Sequence, residues 1–80
     1  MVTNLSYAQE TNTTLGESSG LNNTGNKNTL LGHKSGQSNT ADDNTFVGFK
    51  SGKSNTTGRR NLFLGSQSGF SNTGGNFNSF

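Results

Sequence analysis

His33 is the only imidazole in the chain and the one side chain whose ordinary pKa suits proton transfer near neutral pH. Catalysis would require it beside a nucleophile and an orienting acid. Serine is abundant, with 11 residues, and there are four acids, yet no nucleophile, base and acid recur together at any spacing. No phosphate-binding glycine loop follows a strand pattern either. His33 occupies a variable position filled elsewhere by Glu17, Phe49 and Ser66, so it reads as a solvated turn residue. Asp42-Asp43 lacks the Gly/Asp nonapeptide of calcium-binding rolls, which argues against a metal. Cysteine is absent, which excludes disulfides, zinc fingers and thiol chemistry. Lys50 and Lys53 with Arg59-Arg60 form a small basic patch. It has the charge to touch an anionic polysaccharide, but reads better as a solubilising edge. The expectation is a chain that is not an enzyme and holds no cofactor.

The strongest polar signal is asparagine in register. One column is Asn12, Asn28, Asn44, Asn61 and Asn78, and another is Asn23, Asn39, Asn55 and Asn72. Stacked amides can hydrogen-bond along an axis as a ladder. The bland reading, that they tie down turns, outweighs an array that orders water or binds glycan. Thr13, Thr29 and Thr45 would belong to such an array, and Leu62 interrupts their column. Sequons at Asn4, Asn12, Asn22 and Asn55 are explained by chance in a sequence this rich in Asn and Thr.

These columns exist because the sequence repeats. The clearest copy runs from Asn44 to Thr56: Asn-Thr, two apolar residues, Gly, two variable residues, Ser-Gly, two variable residues, Asn-Thr. Copies start at residues 12, 28, 44 and 61, and a truncated one starts at 78, giving steps of 16, 16, 17 and 17 residues. A period of this size implies stacked supersecondary units. Gly16, Gly32, Gly48 and Gly65 form one glycine column, and Gly20, Gly36, Gly52 and Gly69 form a second. With the serine between them they read as a turn at one edge of each coil.

Two apolar columns precede the first glycine. Neighbouring strand residues point to opposite faces, so both faces of this strand need covering. The more uniform column, Leu15, Leu31, Val47 and Leu64, is assigned to the coil core. The other, Leu30, Phe46, Phe63 and Phe80, is assigned to an interface with another chain. A second short strand is expected around Asn23-Thr24, Asn39-Thr40, Asn55-Thr56 and Asn72-Thr73. No segment shows helical periodicity. The fold expected is all-β: a parallel β-solenoid, a β-roll or β-helix, of 16–17-residue coils, oligomeric as a trimer or filament. Residues 1–11 fit the repeat loosely and read as an atypical lead-in or cap, with 12–80 as the solenoid.

Composition agrees with a repetitive fold. Asn, Gly, Thr and Ser supply 47 of the 80 residues and apolar residues only 24%, so a lone chain buries little core. Disorder would bring high net charge and proline, whereas the charge is +2 and proline is absent. That charge is too small to argue for nucleic acid. No apolar run approaches a membrane helix, and residues 1–10 lack the basic and apolar regions of a signal peptide.

The unit Asn-Thr-Phe-Val-Gly-x-x-Ser-Gly-x-x-Asn-Thr resembles Asn/Gly-rich repeats of phage tail fibres and bacterial surface fibres. It is also similar to the head repeats of trimeric autotransporter adhesins. That resemblance covers 12–80 and implies a trimer of parallel β-rolls on an extracellular, cell-surface or virion fibre. The chain departs from the adhesin pattern in using Phe and Leu where small Ala is usual. The function expected is a structural, fibre-forming module, a shaft or filament whose partner is itself, as a homotrimer or head-to-tail filament. Surface attachment, with a cell-surface glycan as possible partner, comes with the resemblance. The alternative is a flat-faced solenoid that binds ice or glycan.

Overall fold

Each repeat places a three-residue run of β-branched and apolar residues between an asparagine and a glycine, and each run forms one short strand. In the computed structural model, which describes residues 11–80, the strands are β1 (Thr13–Leu15), β2 (Thr29–Leu31), β3 (Thr45–Val47) and β4 (Leu62–Leu64). They form one parallel sheet in the order β1-β2-β3-β4. The register pairs Thr13 with Thr29, Thr29 with Thr45 and Thr45 with Leu62, so the sequence period and the coil are the same object. Leu62 also bridges to Ser79 in parallel, which carries the pattern to the fifth copy. Parallel neighbours need a crossover of a dozen or more residues. Here that crossover is made of turns, and no helix is present among the described residues. The architecture is an all-β, solenoid-like stack. The lead-in expected over 1–11 lies, apart from Thr11, outside the described residues.

The two-residue alternation of a strand puts the middle residue inside. Leu30, Phe46 and Phe63 are fully buried and form the core. The Phe46 and Phe63 rings are parallel with centroids 4.7 Å apart, and Phe80 stacks on Phe63 at 5.0 Å. These distances match the spacing of neighbouring strands, so the sheet sets the ring stack. The flanking residues face out: Leu15 is 42% and Leu64 63% exposed, while Leu31 and Val47 are half-buried. This reverses the assignment made from the sequence. The Leu15, Leu31, Val47, Leu64 column is the outer row, and Leu30, Phe46 and Phe63 fill the coil and are not available to another chain. The physical reason is volume. One side chain per coil must span the interior, and a bulky ring does so better than valine.

Glycine makes that possible at two places. Gly52 has φ of +59°, and a Cβ there would lie 2.5 Å from Cδ2 of Phe46, so the ring packs directly on its backbone. Gly48 has φ of +131°, and a Cβ would meet the carbonyl oxygen of Gly65 in the next coil at 2.5 Å. The expected second strand does not form. The N–H of Asn39 donates to the carbonyl of Gly36 (3.0 Å) and that of Asn55 to Gly52 (3.1 Å), so turn bonds occupy the donors a strand would use. Isolated axial bonds still link the coils there, as from Thr40 N–H to Thr56 O at 3.0 Å.

This arrangement separates inner from outer positions energetically. Phe46→Ala should cost about 3–5 kcal/mol by cavity formation. Val47→Ala, half-exposed on the outer row, should cost about 1 kcal/mol or less by lost area. Guanidinium unfolding of the two variants checks this, and equal losses would contradict the inner placement of Phe46.

Candidate functional site

Every polar side chain that could bind something is placed by the same axial register. The Asn12 column lies just before the strands. Oδ1 of Asn12 accepts the N–H of Asn28 (2.8 Å), Oδ1 of Asn28 that of Asn44 (2.9 Å), and Oδ1 of Asn44 that of Asn61 (3.0 Å). The bond from Asn78 N–H to Asn61 Oδ1 continues the series at 2.9 Å. Each Nδ2 donates sideways to a link carbonyl: Asn12 to Gly25 (2.7 Å), Asn28 to Ala41 (2.8 Å), Asn44 to Gly58 (2.8 Å) and Asn61 to Gly75 (2.9 Å).

The Asn23 column forms an amide-to-amide ladder. Nδ2 of Asn39 donates to Oδ1 of Asn23 (2.8 Å), Asn55 to Asn39 (2.7 Å) and Asn72 to Asn55 (2.8 Å). The two columns also meet within a coil, where Asn44 Nδ2 donates to Asn39 Oδ1 at 3.0 Å. Asn28, Asn39, Asn44 and Asn55 are buried to 1% exposure or less. Across the coil, Ser35 Oγ donates to the Phe46 carbonyl (3.0 Å) and Ser51 Oγ to the Phe63 carbonyl (3.1 Å). The strict serine column signalled this, but a serine next to glycine reads first as a turn. Among the described residues no buried side-chain polar atom lacks a partner. The amides are therefore committed inside the stack, and the Asn columns are not a surface for water or glycan.

The outward face is the sheet itself. It carries Thr13, Thr29, Thr45 and Leu62 in one row, and Leu15, Leu31, Val47 and Leu64 in the other, with Leu62 45% exposed. The threonines are thus a surface row, broken at β4 as the sequence indicates.

The titratable groups lie on the turns. His33 Nδ1 is 3.4 Å from Glu17 Oε1, and its ring stacks on Phe49 with centroids 5.6 Å apart. Glu17, His33 and Phe49 are successive members of one column, so periodicity brings them together. Among the described residues no serine hydroxyl bonds to His33, and Ser35 and Ser51 donate to carbonyls instead. Asp42 Oδ1 accepts the N–H of Asn26 at 2.8 Å, which makes it a link fastener. Among the described residues no group of three or more His, Cys, Asp or Glu is placed to hold a metal. Three cations lie over rings that sequence reasoning did not pair with them: Lys50 over Phe49 at 5.0 Å, Lys53 over Phe70 at 5.9 Å and Arg60 over Phe77 at 5.5 Å. Lys53 with Phe70 and Arg60 with Phe77 are each one 17-residue step apart, so the repeat brings them together, and the turns decide that the cation lies over the ring.

The chain matches no protein-family model, no curated protein and no solved structure.

The ladder makes a sharp demand on side-chain chemistry. Asn39→Ala should cost about 2–3 kcal/mol, since it removes four amide bonds while each partner keeps another. Asn39→Asp should cost more at pH 7, because an oxygen replaces the Nδ2 that donates to Asn23 and Ala41. Burial raises that carboxyl's folded pKa above its unfolded value, so the penalty is full at high pH and is relieved as the group protonates. Thermal melts at pH 7 and pH 4 should show the Asp variant recovering relative to the Ala variant on acidification.

Proposed function

We propose that this chain is a structural, fibre-forming module: a shaft or filament of an extracellular, cell-surface or virion fibre that serves in surface attachment. The observation that supports it is the axial ladder. Each coil's buried amides are completed by the coils beside it, so the stack is one-dimensional and extends by adding identical units. The chemistry of the side chains is spent on building that rod. Its likeness to tail-fibre and adhesin repeats points the same way.

The seam with other copies is the outer Leu15, Leu31, Val47, Leu64 row, since Leu30, Phe46 and Phe63 are inside and of the column first assigned to the interface only Phe80 is exposed. Four strands spaced ~4.8 Å apart and three residues long offer a face of roughly 190 Å². A stable interface takes ~800 Å² per partner. Lateral association through this face therefore strengthens with the number of coils aligned. It is weak in any short stack, which fits a protein that works as a long repeat.

A second reading has a specific observation behind it. Thr13, Thr29 and Thr45 form an outward row on the sheet, the kind of row a flat-faced ice- or glycan-binding solenoid needs. Leu62 interrupts that row.

Light scattering over a concentration series tests the leading reading. The chain should form a trimer or filament at high concentration, and Leu31→Ser with Val47→Ser should return it to monomer without changing its circular dichroism. A chain that stays monomeric throughout, and shows thermal hysteresis, would replace the fibre reading with the flat-face one.

A further inference from the structure

The turn edge of the coils carries charge that nothing in the stack uses. Lys34 and Lys50 occupy equivalent places in consecutive coils, both with left-handed backbone at φ of 60° and 57°. Their N–H groups donate to the preceding coil, Lys34 to Glu17 O (2.9 Å) and Lys50 to His33 O (2.8 Å), so their backbones are one coil apart, ~4.8 Å. Lys53 closes a turn on Lys50, its N–H donating to the Lys50 carbonyl at 3.2 Å. A turn of this kind brings its end Cα atoms within ~7 Å. Three ammonium groups thus rise from one short ridge.

Among the described residues no carboxylate lies in ion-pair distance of them. The carboxylate on this edge, Glu17, faces His33 Nδ1 at 3.4 Å. Asp42 and Asp43 belong to the link between coils, where Lys27, Arg59 and Arg60 interleave with them in the same two columns. Lys50 and Lys53 lie instead over the faces of Phe49 and Phe70, and Phe49 is 43% exposed. The ridge combines three cations from two neighbouring coils, Lys34 from one and Lys50 and Lys53 from the next, with the exposed part of Phe49.

We infer that the ridge of Lys34, Lys50 and Lys53, with Phe49 and Phe70, binds an acidic polysaccharide. The ammonium groups take the carboxylates or sulfates of successive sugar units. The exposed part of Phe49, beside the His33 and Lys50 groups that lie against its ring, packs on the apolar C–H surface of the sugar. The coil spacing suits a polymer with one acid per unit running along the rod. A duplex nucleic acid fits less well, because three cations fall short of the 6–10 phosphate contacts that give such binding its strength. This deepens the attachment role proposed above by naming the chemistry of the surface, and it rests on that reading for its biological purpose only.

The test is binding of the 80-residue chain to polygalacturonate and to dextran sulfate, with neutral dextran and a 20-base-pair DNA as comparisons, at low and moderate salt. Binding to either acidic polymer, weakened by salt, is expected, and the two arms tell carboxylate from sulfate. Lys34→Gln with Lys50→Gln and Lys53→Gln should lower affinity at least tenfold, whereas Arg59→Gln with Arg60→Gln should change it less than twofold. Phe49→Ala should weaken binding to polysaccharide. Should the triple variant lose its circular dichroism signal, the single variants Lys50→Gln and Lys53→Gln carry the test. Unchanged binding in folded Lys variants overturns the assignment. So does equal binding to neutral dextran, tighter binding to DNA than to either acidic polymer, or no binding by the original chain. Light scattering on the same samples keeps the two readings apart: a monomer that binds supports the ridge and sinks the fibre, and an oligomer that does not bind does the reverse.

Discussion

A buried amide that needs partners in the coils on either side as well as in its own turn is the constraint on which the stack depends. Asn39 gives its Nδ2 to Asn23 in the coil before and accepts on Oδ1 from Asn55 in the coil after. An unpaired buried amide costs more than the bond itself returns. The asparagines therefore exclude a register shift as firmly as they favour the correct register. In a chain with only 24% apolar residues, specificity of this kind does work that a large core does elsewhere.

The hydrophobic contribution is narrow and depends on that register. Phe46 and Phe63 stack because their strands are paired one coil apart, and Gly52 gives the Phe46 ring room by carrying no Cβ. Serine completes the frame from the other side, with Ser35 and Ser51 bonded to the carbonyls of Phe46 and Phe63. Core, turn and ladder are thus one coupled unit. A change in any of them is transmitted along the axis to the neighbouring coils.

Much of this was legible in the residues. Asparagine and glycine at a fixed step gave the coil, its parallel stacking and the turn positions, because each column has one dominant chemistry. The inner and outer apolar columns are exchanged relative to the sequence reading, since uniformity does not mark the interior here. The interior in fact runs Thr14, Leu30, Phe46, Phe63, and stacked side chains of different bulk tolerate that variation while the outer row keeps to Leu and Val. The left-handed positions were invisible for another reason. Ser18, Lys34, Lys50 and Gln67, and likewise Lys27, Asp43, Arg60 and Phe77, all have positive φ. None is a glycine, and only the stacked neighbours hold them there. The 17-residue step makes Lys53 a neighbour of Phe70 and Arg60 of Phe77, but whether the cation lies over the ring depends on side-chain direction in the turn, which the sequence does not carry.

The step from 16 to 17 residues falls in the link, where Thr57-Gly58 stands in place of Ala41. Asn44 Nδ2 reaches Gly58 O at 2.8 Å, just as Asn28 Nδ2 reaches Ala41 O at 2.8 Å, so the extra residue is absorbed before the next strand begins. Each asparagine pair therefore resets the reading frame of its own coil. A gene encoding such units can gain, lose or exchange whole repeats, or vary a link by one codon, without disturbing the coils on either side. Rod length is then an evolvable quantity, adjustable in increments of one coil independently of fold.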